Sequence, residues 1–179
     1  FRGLACLLAC FSNAQVWAAG VQEPLKPALE LHESGKFKEA IAEYDKVIKE
    51  YPKLAEAYFN RGNAYYDLKE YQQAIRDYGQ TIRLNPKDSE AYFNRGNAYR
   101  RLKQDPAALN DYNAAIKLNP DDPRSYTNRG SIHFDARRYE DAVKDFSEAS
   151  KIDPKSAQNY YNRGNRYLAL NKKENGLRD

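Results

Sequence analysis

From residue 21 onward the chain repeats itself every 34 residues. Pro52, Pro86, Pro120 and Pro154 keep that step, as do Gly62, Gly96, Gly130 and Gly164, and Ala40, Ala74, Ala108 and Ala142. The segment Glu56–Tyr65 reads E-A-Y-F-N-R-G-N-A-Y, and Glu90–Tyr99 reads the same. A unit this short holds too little apolar surface to fold alone, so the units must stack on their neighbours. The register divides the chain into 21–54, 55–88, 89–122 and 123–156, with a partial fifth unit at 157–179.

Within each unit, apolar positions 4, 8 and 11 fall on one helical face, and 17, 20, 24, 27 and 28 fall on another. Short polar breaks separate the two sets: Gly35-Lys36, Lys69-Glu70, Lys103-Gln104 and Arg137-Arg138. Each unit therefore reads as helix, tight turn, helix, with the proline at position 32 ending the second helix. Asp122 before Pro123 and Asp105 before Pro106 read as helix caps followed by proline at the first helical position. Gly at position 8 and Ala at position 20 allow close backbone approach, with aromatics filling the space beside them. Pro24 and Pro27 make the first unit atypical, and its first helix is expected to start late, near Leu25 or Ala28.

Position 4 is Tyr58, Tyr92, Tyr126 and Tyr160; position 24 is Tyr44, Tyr78, Tyr112 and Phe146; position 11 is mostly Tyr, and positions 8, 20 and 32 are Gly, Ala and Pro. This pattern resembles the tetratricopeptide repeat, over about 159 of the 179 residues. One departure is position 7, commonly Leu in that family, which is Arg in units two to five. The resemblance implies an all-α solenoid, a right-handed superhelix of antiparallel helix pairs. It also implies a concave groove lined by first-helix positions 2, 5, 9, 12 and 13, with position 6 nearby.

Those positions supply Phe59, Phe93, Thr127 and Tyr161 at 5; Asn60, Asn94, Asn128 and Asn162 at 6; Asn63, Asn97, Ser131 and Asn165 at 9; and Tyr66, Arg100, Phe134 and Leu168 at 12. Asn offers a donor and an acceptor to a peptide backbone, and exposed aromatics give contact area at low entropic cost. The candidate partner-binding set is Phe59, Asn60, Asn63, Tyr66, Phe93, Asn94, Asn97, Arg100, Arg124, Asn128 and Ser131. The competing reading is that these residues only stitch neighbouring first helices, and at position 6 the two readings weigh equally. Some relatives grip a chaperone's C-terminal carboxylate with Lys at 5, Asn at 9, Asn at 6, Lys at 2 and Arg at 6 of successive units. Here Asn63 and Asn94 match and Arg124 supplies a cation, but Phe59 and Asn128 replace the other two cations, so that ligand is not expected.

Arg61, Arg95 and Arg129 at position 7 accompany Asp77, Asp111 and Asp145 at position 23, and we expect them to form a repeated structural pair. Catalysis has little to stand on. The histidines are His32, expected to be solvated, and His133, expected to be a core residue; no nucleophile, phosphate-loop or metal-protease motif occurs, and no cofactor or metal is expected. With 29 basic and 25 acidic residues interleaved along every unit, nucleic acid is not an expected partner.

Residues 1–20 read as a secretory leader, with Arg2, an apolar run Gly3–Phe11 and small residues near Ala18 and Gly20. Leu7-Leu8-Ala9-Cys10 also resembles a lipoprotein signal with Cys10 as a lipid anchor, and an ordinary helix is the third reading. The run is too short to span a bilayer. An exported, periplasmic or secreted location follows, with lipid anchoring as a variant. The fifth unit lacks the polar outer face of a terminal cap, so the natural chain is expected to continue, or residues 172–179 to fray. The function these features support is a non-catalytic scaffold holding a peptide or partner protein. The alternatives are the targeting domain of a longer enzyme and a structural protein that self-associates through its last unit.

Overall fold

Two apolar stripes and one polar break per unit produce two helices per unit. The computed structural model describes residues 24–155 and Ala169. Its helices are α1 (24–33), α2 (Phe37–Glu50), α3 (Ala55–Asp67), α4 (Tyr71–Leu84), α5 (Ser89–Arg101), α6 (Asp105–Leu118), α7 (Pro123–Asp135) and α8 (Tyr139–Ile152). No strand occurs among the described residues, and the architecture is an all-α solenoid of helical repeats. From α2 to α8 each helix packs on the next in chain order, and α3 also touches α5. The expected leader at 1–20, with Cys10, lies outside the described residues, as does the partial fifth unit apart from Ala169, which is helical.

One turn recurs between the two helices of a unit. The Lys69 N–H donates to the Tyr66 carbonyl at 2.9 Å and the Glu70 N–H to the Tyr65 carbonyl at 2.8 Å, satisfying acceptors left open at the end of α3. Such a turn needs one left-handed residue. Gly35 takes it at φ 76°, but Lys69, Lys103 and Arg137 take it at 63°, 58° and 58°. The turn also corrects one expected cap. It delivers the chain to Gln104 as the cap residue of α6, which places Asp105 inside the first turn, whereas Asp122 does cap α7 by accepting from the Arg124 N–H at 3.0 Å. In the first unit the chain is already helical at Pro24, ahead of the expected start, because proline is tolerated in a first turn.

The two helices of a unit meet through bare backbone. A Cβ on Gly62 would stand 2.9 Å from Tyr78 Cε1, one on Gly96 2.8 Å from Tyr112 Cε1, and one on Gly130 2.8 Å from Phe146 Cε1. Tyr44, Tyr78, Tyr112 and Phe146 are each fully buried, one to a unit, so every unit contributes one large aromatic to a core that runs along the stack. Burying a side chain of that size is worth roughly 1.5–3 kcal/mol.

Beside this core runs a seam of ion pairs. Arg61 donates through Nε and Nη2 to both oxygens of Asp77, each at 2.7 Å. Arg95 does the same to Asp111 at 2.8 and 2.7 Å, and Arg129 to Asp145 at 2.9 and 2.5 Å. The carboxylates are buried, and the guanidinium groups of Arg61 and Arg95 stack between two tyrosines: that of Arg61 lies 5.7 Å from the Tyr58 ring and 5.9 Å from the Tyr65 ring, whereas Arg129 has Tyr126 alone among the described residues. Arg61 also reaches back to Asp45 of the preceding unit at 2.5 Å, and Arg129 to Asn113 at 2.6 Å. The equivalent place under Arg95 is Gly79, which offers no side chain.

Candidate functional site

The first helices α1, α3, α5 and α7 are joined edge to edge by polar contacts spaced by about one repeat. Deepest is an asparagine ladder. Asn63 Oδ1 accepts from Asn94 Nδ2 of the next unit at 3.2 Å and from the Tyr78 hydroxyl at 2.8 Å. Asn97 Oδ1 accepts from Asn128 Nδ2 and from the Tyr112 hydroxyl, both at 2.8 Å. The pattern stops where its parts are missing: Leu29 stands at position 9 of the first unit, and the buried Tyr44 hydroxyl has no partner. Burial, followed by Glu33 and Glu56, pushes that hydroxyl's pKa up to about 12. In the fourth unit Ser131 replaces Asn and Phe146 replaces Tyr, so neither group is stranded.

A second row of contacts links residues 35 apart. His32 Nε2 lies 2.8 Å from Asp67 Oδ2, Arg101 Nε donates to the Tyr66 hydroxyl at 3.2 Å, and Arg100 Nη2 donates to Asp135 Oδ2 at 2.7 Å. Between the two rows the first-helix face opens into two adjoining clefts. The smaller, about 290 Å³, is lined by His32, Asn63, Tyr66, Asp67, Asn94 and Asn97, with Tyr78 at its floor. The larger, about 470 Å³, is lined by Tyr66, Asn97, Arg100, Arg101, Lys103 and Asn128, together with Tyr112 and Ser131. Tyr66 and Asn97 border both, so the clefts form one continuous groove.

Seven of the eleven candidate residues line this groove: Asn63, Tyr66, Asn94, Asn97, Arg100, Asn128 and Ser131. Phe59, Asn60, Phe93 and Arg124 do not. Phe93 is corrected outright: expected as an exposed aromatic, it is only 8% exposed. Its ring faces Tyr112 at 6.1 Å and is roofed by the Arg124 guanidinium at 4.6 Å. Phe59 likewise lies against Tyr78, at 5.8 Å. In units two and three, position 5 thus packs on the position-24 aromatic of its own unit. Arg124 is committed to Asp122 and to Glu90 as well as to Phe93.

Both histidines are held by the scaffold. His32, expected to be solvated, is half-buried, held by Asp67 and set edge-on to Phe37 at 5.3 Å. His133 is mostly buried beside Asp145 at 3.7 Å, and burial, then Arg138, pushes its pKa down. Groove residues beyond the candidate set are His32, Asp67, Arg101 and Lys103, with the tyrosines of the floor. The signal for Arg101 was its place at position 13, where the other units carry Glu33, Asp67 and Asp135. Among the described residues no cluster of three His, Cys, Asp or Glu could hold a metal, and no helix is long and apolar enough to cross a membrane.

The profile of the TPR repeat matches this chain at 28–69, 62–103, 96–136 and 130–171. No curated protein sequence matches it. Among solved structures, a crystal structure of MamA is 23% identical with a TM-score of 0.77, over 84% of this chain and 88% of that one. YrrB, described as a TPR protein with an unusual peptide-binding site, is 24% identical with a TM-score of 0.71, over 84% and 78%. The first TPR of Spaghetti (RPAP3), bound to the HSP90 peptide SRMEEVD, is 28% identical with a TM-score of 0.63, over 65% and 92%. With the family's repeat matched four times in register and its fold shared with these structures, this chain belongs to the tetratricopeptide-repeat family.

Proposed function

We propose that the protein is a non-catalytic scaffold that holds an extended segment of a partner protein along its first-helix groove. The observation that carries this is the continuous pair of clefts, bordered by Asn, Ser, Tyr and Arg side chains that suit a peptide backbone. Two structural neighbours support it, one bound to a peptide and one described by its peptide-binding site. Helices rigid enough to keep a groove open lower the ordering cost of binding, which favours holding a flexible ligand.

The test is a pull-down with the full chain, followed by titration of whatever partner is recovered against Tyr66→Ala and Arg100→Ala. Both residues line the groove, and neither is a fully buried core residue. The expected result is weaker binding by both variants with unchanged helix content by circular dichroism. Unaltered affinity in both, with the fold intact, would remove the groove from the account.

A further inference from the structure

We infer that the larger cleft selects partner segments carrying an Asp or Glu side chain within the chain. This rests on the groove reading above and names the chemistry of its ligand. Position 13 of the first helix is acidic in three units, Glu33, Asp67 and Asp135, and reverses sign in one, at Arg101. Position 12 beside it is His32, Tyr66 and Phe134 elsewhere and Arg100 in that same unit. The turn that follows adds Lys103, held left-handed at φ 58°. The larger cleft therefore has three cations in its lining and no carboxylate.

Internal pairing consumes only one of these three charges, that of Arg100. Arg100 gives Nη2 to Asp135 and Nη1 to the Asn128 carbonyl. Arg101 uses only Nε, on the neutral Tyr66 hydroxyl, so both of its Nη groups are left without a partner among the described residues. Lys103 forms no ion pair among the described residues. A carboxylate entering the cleft meets a two-donor guanidinium edge and an ammonium, while Asn97, Asn128 and Ser131 remain beside them for the backbone. The smaller cleft offers no such excess, because its His32 and Asp67 face each other. The groove thus changes electrostatic character between its two clefts, and this fixes which part of the ligand is acidic.

The experiment uses fluorescence anisotropy of the full chain with labelled nine-residue peptides of alternating Ala and Glu, Ala and Gln, or Ala and Lys. Their termini are acetylated and amidated so that only side chains carry charge. The Ala-Glu peptide is expected to bind about tenfold tighter than the Ala-Gln peptide, the scale of two exposed charge pairs. That advantage should vanish in Arg101→Glu/Lys103→Glu and persist in Lys87→Glu, a charge reversal at an exposed loop residue away from the cleft. Equal binding of the Glu and Gln peptides, or an advantage that survives the double reversal, overturns the acidic-segment inference and leaves the groove reading standing. Failure of all three peptides to bind counts against both. Tighter binding of a single-stranded oligonucleotide than of any peptide would also overturn it.

Discussion

The pair Arg95–Asp111 allows the seam of ion pairs to be tested quantitatively. The Asp111 side chain is 6% exposed and that of Arg95 22%, so deleting either partner strands the other in a poorly solvated place. Breaking a buried pair from one side costs about 3–5 kcal/mol. Asp111→Ala leaves a guanidinium that water still reaches and that keeps the faces of Tyr92 and Tyr99, so its cost lies at the lower end, about 3 kcal/mol. Arg95→Leu strands the more deeply buried group and should cost more.

In Arg95→Leu/Asp111→Leu both charges are gone and most of the loss should be recovered, since apolar replacements of buried pairs are often neutral. Urea unfolding followed by circular dichroism measures all three variants. Single-variant costs below about 1 kcal/mol that simply add in the double variant would refute the coupling.

Two further outcomes follow from the packing. Two mid-helix glycines should respond with opposite sign to alanine. Gly96→Ala drives a Cβ to 2.8 Å from the buried Tyr112 ring, and thermal unfolding should show a net loss of about 1–2 kcal/mol despite alanine's better helix propensity. At Gly79 the new Cβ finds only Arg95 Nη1, at 3.6 Å, so Gly79→Ala should gain about 1 kcal/mol. Ser125 is fully buried with an unpartnered Oγ at a position where the preceding units have Ala57 and Ala91; Ser125→Ala should stabilise the chain by about 1 kcal/mol, read as a raised urea midpoint with an unchanged slope.

The period made most of the scaffold legible. Gly96 under Tyr112 and Arg95 opposite Asp111 lie in register because the repeat fixes both partners, and a contact that recurs at one spacing can be read without coordinates. The groove was less legible. A first helix presents positions 5, 9, 12 and 13 over a wide arc, and only the way neighbouring helices cross decides which side chains fall against an aromatic ring and which against open space. Phe93 fell inward for that reason, with Arg124 closing over it. Asn63 and Asn97 line the clefts, but the sequence could not show that one oxygen of each already serves two donors. Arg101 and Lys103 do not stand out in the repeat pattern, because the groove's charge depends on where one unit departs from its siblings, whereas a repeat makes legible what the units share.

From α2 onward, the helices of this protein are wired almost entirely to those beside them along the chain. Among the described residues no extensive contact joins the first unit to the fourth, so disassembly should proceed like a zip, from an outer unit inward. A partner lying across both clefts would span units one to four, fastening parts that otherwise separate one after another. Its arrival should therefore slow amide exchange most at whichever rim frays first, well away from the atoms it touches.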